Sequence, residues 1–340
     1  MTKTQTKIDA SKAKTSFNLA VIDAGNSEIK ALINGELLCL PTKYTFQVGT
    51  DRRAMMQHRA PFEGFSVTIE QEYASRCSQA GQYQFSPHKP SGDMPAETDK
   101  VLFYLPIVLG CCSAGNQDKP WYVVISHWDQ YRDNEICNRL KGTFDTRVNG
   151  RELNIEIRHV EFVPEGEGAD WFARLDGGIK GTIATIDIGF NTVGFNLYSG
   201  GGNIVQRKYL ENTGVRKVVQ NIMDDPALQA TLGRRPTPKA VIDAIKNGGQ
   251  IANNGVMGGN TDISEFINAY ASAWLKQTLG GISRRYGEDL LEVRNYLLVG
   301  GGAHLLKAAV EGTNIIVPDN PELSNVQGMA LRAAQLFAVN

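Results

Sequence analysis

In 183-IATIDIGFNTVGFNLYSG-200 an apolar run ends on Asp187, a glycine-bearing turn follows, and a second apolar run leads away. β-Branched and aromatic runs flanking a small polar turn predict a two-stranded hairpin. Towards the amino end, 19-LAVIDAGNSEIKALING-35 has almost the same form, with Asp23 where the later stretch has Asp187. Two Asp-bearing hairpins in one chain predict two similar half-molecules that face each other across a ligand.

The 340 residues suffice for two cores, each of about 150 residues. Hydrophobic residues make up 42% and the formal net charge is −1, so no nucleic-acid footprint stands out and no direct nucleic-acid binding is expected. The five cysteines (Cys39, Cys77, Cys111, Cys112 and Cys137) have neither paired metal-ligand spacing nor the density of a secreted scaffold. They read as reduced thiols, which predicts a cytoplasmic protein. Residues 1–16, rich in Lys, Thr and Ser, predict a disordered tail without signal-peptide character. No membrane association is expected: 101-VLFYLPIVLG-110 is too short to span a bilayer and contains Pro106.

Domain I is expected over 17–180. It opens as an antiparallel meander, since Asn34-Gly35 after the first hairpin is a strong turn signal. Residues 41–100 change composition and lack long apolar periods. A structureless loop of that length is unusual in a compact domain, so they predict an inserted small subdomain with a mobile connection around 85–97. His58 and His88 there read as surface residues rather than ligands. Val101 to Leu109 fits either a helix or a buried strand, Tyr122 to Ser126 a core strand, and 128–142 a helix with Trp128, Tyr131, Ile136 and Leu140 on one side. Asn149-Gly150 predicts a type I′ turn, and the strand after it stops at Pro164, where 163-VPEGEGADWFARL-175 places a glycine-bearing turn before a helix.

Domain II is expected over 181–310, with a helical subdomain at about 211–290. Val215, Val218, Val219, Ile222 and Met223 have helical period. Thr237 and Pro238 open a further helix. A longer one is predicted over 263–287, broken at Gly280-Gly281, with Phe266, Tyr270 and Trp274 in the core. The stretch 296-YLLVGGGAHLLKAAV-310 reads as strand, three glycines and helix. After a short strand at 314–318, Ser324 and Gln327 form a capping box that starts a last helix.

A strand that ends in Asp before a small turn offers backbone N–H groups to a phosphate, while the carboxylate holds a hydrated Mg²⁺. Asp23 with Gly25, Asn26 and Ser27, and Asp187 with Gly189, Asn191 and Thr192, are therefore candidates to clasp a triphosphate from opposite sides. The plain alternative is two ordinary surface turns. Gly300, Gly301 and Gly302 leave a side-chain-free surface and a helix amino end against which adenine and ribose can lie. The chain contains neither G-x-G-x-x-G at a first strand nor G-x-x-x-x-G-K-[ST], which argues against NAD enzymes and P-loop ATPases. Phosphoryl transfer to water needs a carboxylate or amide on a rigid turn to orient the water. Glu165 is the first candidate, Glu167 the second and Asp170 the third; a stabilising place at a helix amino end is the competing role.

With these motifs in this order the chain resembles the actin-like ATPases, and among them the ParM/StbA type of plasmid-segregation filament proteins. The family's first phosphate loop resembles 22-IDAGNSEIK-30, its first connecting segment 162-FVPEGEGA-169 and its second phosphate loop 186-IDIGFNTVGF-195. Its adenosine segment is similar to 297-LLVGGGAHLL-306 and its second connecting helix to 324-SNVQGMALRA-333. The resemblance implies an α/β, actin-like ATPase fold: two ribonuclease-H-like domains around a nucleotide cleft, with 311–340 returning to domain I. It implies that Asp23 and Asp187 organise Mg²⁺, that Glu165 activates water, and that Lys30 belongs to the first phosphate loop. Glu211, Gly214 and Arg216 would contact ribose and base, and Gly300, Gly301, Gly302 and His304 would line the adenine side. It further implies ATP hydrolysis, head-to-tail self-association into dynamic filaments, and a separate DNA-binding adaptor for plasmid or other DNA segregation. The sequence leaves ATP against GTP open. A non-polymerising nucleotide-dependent regulator and a small-molecule kinase of the same superfamily are the alternative readings.

Overall fold

The computed structural model describes residues 16–25, 28–42, 44–48, 63–86, 100–211, 213–253, 259–307, 310 and 312–337. The chain divides into two compact units, Met1–Gly168 with Val326–Asn340 and Ala169–Asn325. The expected tail, the connection at 87–97, His58 and His88 lie outside the described residues.

Unit 1 begins with the antiparallel meander β1 (Asn18–Ala24), β2 (Glu28–Ile33) and β3 (Glu36–Pro41). Then come β4 (Tyr44–Gln47), β5 (Phe65–Ile69), β6 (Gly81–Phe85), α1 (Val101–Cys112), β7 (Trp121–His127), α2 (Asp133–Leu140), β8 (Gly142–Val148) and β9 (Arg151–Pro164). All nine strands join one sheet in the order β3-β2-β1-β7-β9-β8-β5-β6-β4, with β1, β7 and β9 mutually parallel. The segment 41–100, expected as an inserted subdomain, thus gives its described strands to the edge of this sheet.

Since β3 ends at Pro41 and β4 opens at Tyr44, the two outer strands are three peptide steps apart, at most about 11 Å. The sheet curls to bring them there, and α1 lies inside the curl, packed against β1, β2, β5 and β8. Every residue of α1 except Leu102 is buried. An apolar run enclosed on all sides carries no polar stripe, which is why periodicity alone leaves helix and strand open there. Cys111 and Cys112 close this helix, and burial pushes the Cys111 thiol up to about 12.

Both Asn-Gly pairs form type I′ turns, with positive φ at Asn34 (50°), Gly35 (88°), Asn149 (51°) and Gly150 (80°). Each Asn amide oxygen also accepts a backbone N–H from the strand beside its hairpin, Leu19 at 2.9 Å and Ser66 at 2.8 Å. The helix expected over 128–142 starts only at Asp133. Asp129 caps a 3₁₀ turn at Gln130–Arg132 instead, leaving Trp128 48% and Tyr131 86% exposed, so only Ile136 and Leu140 of the expected face are buried.

The chain leaves unit 1 within α3 (Glu167–Leu175). Unit 2 opens with a second meander, β10 (Ile183–Ile188), β11 (Thr192–Tyr198) and β12 (Ile204–Glu211). Then follow α4 (Val215–Asp224), α5 (Pro226–Leu232), α6 (Pro238–Lys246), the hairpin β13 (Gln250–Asn253) and β14 (Gly259–Asp262), α7 (Ser264–Leu290), β15 (Asn295–Val299) and β16 (Ile315–Ile316). Its main sheet runs β12-β11-β10-β15-β16, with β15 parallel to β10 and to β16. Numbered by chain order within each set, the five strands counted from the β3 edge of unit 1 (β3-β2-β1-β7-β9) and the five of unit 2 share the order 3-2-1-4-5. This is the ribonuclease-H-like arrangement, present twice.

The periodic residues of α4 are its buried ones, and Thr237 Oγ1 accepts the Ala240 N–H at 3.2 Å to cap α6. In α7 the break falls at Tyr286 (φ −123°, ψ 23°) rather than at Gly280-Gly281, and the Tyr286 ring stacks on Phe195 at 5.2 Å. Among the described residues the glycines after β15 lead into a 3₁₀ turn, Ala303–Leu306, in place of the expected α-helix. The chain returns to unit 1 within α8 (Ser324–Phe337). Ser324 is already helical, and its hydroxyl donates to the Asn320 carbonyl instead of making a capping box. At the other end Phe337 packs on Phe17, Tyr122 and His159, with centroids 5.9, 5.2 and 5.4 Å away. Among the described residues no helix is long and apolar enough to cross a membrane.

Candidate functional site

Ligands of open α/β sheets gather at the carboxyl ends of parallel strands. In unit 1 those ends belong to β1, β7 and β9, and they carry Asp23, Ser126 with His127, and Pro164 with Glu165. Asp23 is 8% exposed, and the buried Ser126 hydroxyl donates to its Oδ1 at 2.9 Å. Lys30 of β2 stands directly opposite Asp23 in the antiparallel register, which puts both side chains on one face. Gly25 continues the turn: its N–H donates to the Glu28 carbonyl at 3.0 Å, and its own carbonyl accepts the buried Thr42 hydroxyl at 2.7 Å. Asn26 and Ser27 lie outside the described residues.

Glu165 follows β9 directly, half-buried, and its N–H donates to the His127 carbonyl at 2.9 Å. His127 is buried, meets the Tyr104 ring edge-on at 5.9 Å, and accepts the Asp129 N–H on Nδ1 at 3.1 Å. Burial foremost, with Lys100 and Arg132 nearby, lowers its pKa to about 4, so the ring is neutral at pH 7. Glu167 sits two residues on, as the first residue of α3. Asp170, the third candidate, is fully committed: Arg174 Nε donates to both its oxygens at 2.9 and 2.8 Å, and the guanidinium also reaches the carbonyls of Gly181, Gly200 and Ser199. Burial raises the Asp170 carboxyl pKa despite that partner. It is a structural anchor of unit 2 and does not face water.

In unit 2 Asp187 occupies on β10 the place that Asp23 occupies on β1. Its antiparallel neighbour is Gly194 and its parallel neighbour Val299. Gly300 has φ +83°, and a Cβ there would fall under 3.0 Å from both Asp187 Oδ1 and the Ile188 carbonyl, so glycine is needed for backbone conformation and close approach alike. A Cβ on Gly302 would strike Ile188 and Val215, and its N–H donates to the Ile188 carbonyl at 2.8 Å. Gly301 is exposed, with open space above it. Two of the three glycines thus fit the end of β15 against the Asp187 strand, and one leaves a bare surface.

The turn after β10 is tied to the start of α4. Gly189 donates to the Thr192 carbonyl at 2.9 Å, Val215 to Gly189 at 3.1 Å, Arg216 to Phe190 at 2.8 Å and Gly214 to Asn191 at 3.3 Å. The N–H groups of Val215 and Arg216 are therefore spent on the turn, and the Arg216 side chain is exposed. The Asn191 amide oxygen is buried with no hydrogen-bond partner among the described residues; as an acceptor it fits a donor such as a metal-bound water and not a phosphate oxygen. Glu211 closes β12 opposite Thr192. His304 pairs with Glu322 at 2.8 Å.

Among the described residues no three His, Cys, Asp or Glu side chains cluster to hold a metal ion. Within each unit a lone carboxylate at a strand end is the kind of donor that suits Mg²⁺, which keeps several waters and shares its shell with phosphate oxygens rather than filling a protein cage. Taken unit by unit, Asp23 beside Lys30, and Asp187 beside the glycine turn at Gly189, fit water-mediated contact with a Mg²⁺-nucleotide. Sequence reading missed Ser126, His127, Tyr104 and Thr42. A polar Ser-His pair at the end of an apolar strand was the available signal.

No protein-family model matches the sequence, and no curated protein sequence matches it. Solved structures do. The actin-like protein Alp7A superposes with a TM-score of 0.73 at 15% identity, over 94% of this chain and 97% of its own. Ta0583, an archaeal actin homologue, gives 0.70 at 13% identity over 94% and 100%, and it has also been solved in complex with ADP. ParM of Clostridium botulinum, solved as a 15-stranded filament, gives 0.68 at 15% identity over 94% and 100%. The chain has the actin-like fold.

Proposed function

We propose that this chain binds ATP with Mg²⁺ through its two acidic half-sites, hydrolyses it, and polymerises head to tail into dynamic filaments that serve DNA segregation through a separate DNA-binding adaptor. The observation that carries the reading is the duplicated 3-2-1-4-5 sheet with a carboxylate at the same place in both copies, Asp23 and Asp187. The ADP complex of Ta0583 supports the nucleotide, and the ParM filament supports self-association.

In this reading Asp23 and Asp187 orient water ligands of the metal, which when bound offsets charge on the phosphates. Gly25, Asn26, Ser27 and Lys30 serve one side of the phosphates, and Gly189, Asn191 and Thr192 the other. Glu211, Gly214, Arg216, Gly301 and His304 border the nucleoside. Glu165, fixed by its backbone bond to β7, orients the attacking water. Light scattering and negative-stain microscopy with ATP and Mg²⁺ at micromolar protein test the whole: filaments are expected. Nucleotide binding without polymer would instead favour the regulator, and phosphoryl transfer to a small-molecule acceptor the kinase.

A further inference from the structure

We propose that Ser126 is a positioning residue for Asp23, and that the last two residues of β7 set the places of both acidic groups of unit 1. This rests on the Mg²⁺-nucleotide reading above. β7 lies between β1 and β9 in the sheet, so its end borders both acidic strand ends. Ser126 spends its side chain on one, donating to Asp23 Oδ1 at 2.9 Å, and His127 spends its carbonyl on the other, accepting the Glu165 N–H at 2.9 Å. The end of β7 is itself held. The buried Tyr104 hydroxyl of α1 donates to the Ser126 carbonyl at 3.0 Å, and the same ring packs edge-on against His127 at 5.9 Å. Ser126 is buried and its bond to Asp23 spans 103 positions, so it is not a local turn contact. With one Oδ1 lone pair occupied by a fixed donor, the Asp23 carboxylate is restrained to one orientation, and its remaining lone pairs would be left to hold water ligands of a bound metal.

Ser126→Ala removes that donor and Ser126→Thr keeps it. With Mn²⁺ as the probe and ATP present, Ser126→Ala is expected to raise the metal concentration for half-saturation about tenfold, the scale of a hydrogen bond to a charged group. ATP affinity measured in EDTA should stay within about twofold, and Ser126→Thr should restore wild-type metal dependence. In the nucleotide-free protein, the ¹³C carboxyl resonance of Asp23 should move in Ser126→Ala and hold in Ser126→Thr. Unchanged metal dependence in Ser126→Ala, an equal fall of metal-free ATP binding, or failure of Thr to rescue would overturn the proposal. So would an unmoved Asp23 resonance, which needs no nucleotide. If the wild-type protein shows no metal-dependent nucleotide binding, the functional reading fails first, and the resonance still decides the role of Ser126.

Discussion

Replacing His127 with Asn removes a titrating ring from the end of β7 while keeping an acceptor for the Asp129 N–H. The folded chain holds this histidine at about 4 against an ordinary value of 6.5. Between those values the unfolded chain binds a proton that the folded chain refuses, so stability rises with pH across the window and is complete above it. Linkage over that difference gives about 2 kcal/mol lost between pH 7 and pH 5, and about 3 kcal/mol by pH 4. Carboxylates held low by partners, such as Glu135 by Arg132, count only as pH falls below about 5 and do not mask the window. Urea denaturation at pH 7, 6 and 5 is the assay. The wild-type protein should lose about 2 kcal/mol more than His127→Asn over this range, whatever the variant's lower starting stability. Parallel pH profiles would refute the reasoning, because a ring that titrates normally in the folded chain is neither desolvated by burial nor sealed against Tyr104.

Glu165→Ala should still bind nucleotide and assemble while phosphate release falls about a hundredfold or more, as expected for a lost water-orienting group; unaltered release would move the role to Glu167. Gly300→Ala drives a Cβ into the Asp187 carboxylate at positive φ, so it should cost about 2 kcal/mol of stability and abolish metal-dependent nucleotide binding, read by thermal melts and calorimetry. Arg174→Ala leaves the buried Asp170 without its cation and should destabilise unit 2 by about 3–5 kcal/mol in a circular-dichroism melt. Phe337→Ala should loosen the end of α8 by about 1–2 kcal/mol, seen as faster proteolysis near the carboxyl terminus with filament formation retained.

Local features were legible where local physics sets them. The Asp-turn hairpins, both Asn-Gly turns, the buried stripe of α4 and the Thr237 cap need only neighbours in sequence, and all can be read from spacing. What escaped depends on partners far along the chain. β5 joins the main sheet through β8, with β6 and β4 following beyond it, and no pattern within 41–100 encodes that neighbour. The break in α7 follows from Tyr286 stacking on Phe195, so the two glycines that looked like a hinge stay helical. Asp170 resembled a free carboxylate until α3 placed Arg174 one turn away, over the carbonyls at 181, 199 and 200. Ser126 gained its place from a strand 103 positions away.

The curl of unit 1 makes its wall a hoop, and the hoop has a clasp. Only Thr42 and Lys43 separate the two outermost of nine strands. The buried clasp residue Thr42 also grips the carbonyl of Gly25, two positions past Asp23. Slack introduced there would ease the wall around α1 and, through one hydroxyl, the acidic turn as well. Thr42 thereby couples the edge of the wall to the carbonyl that follows the acidic strand end.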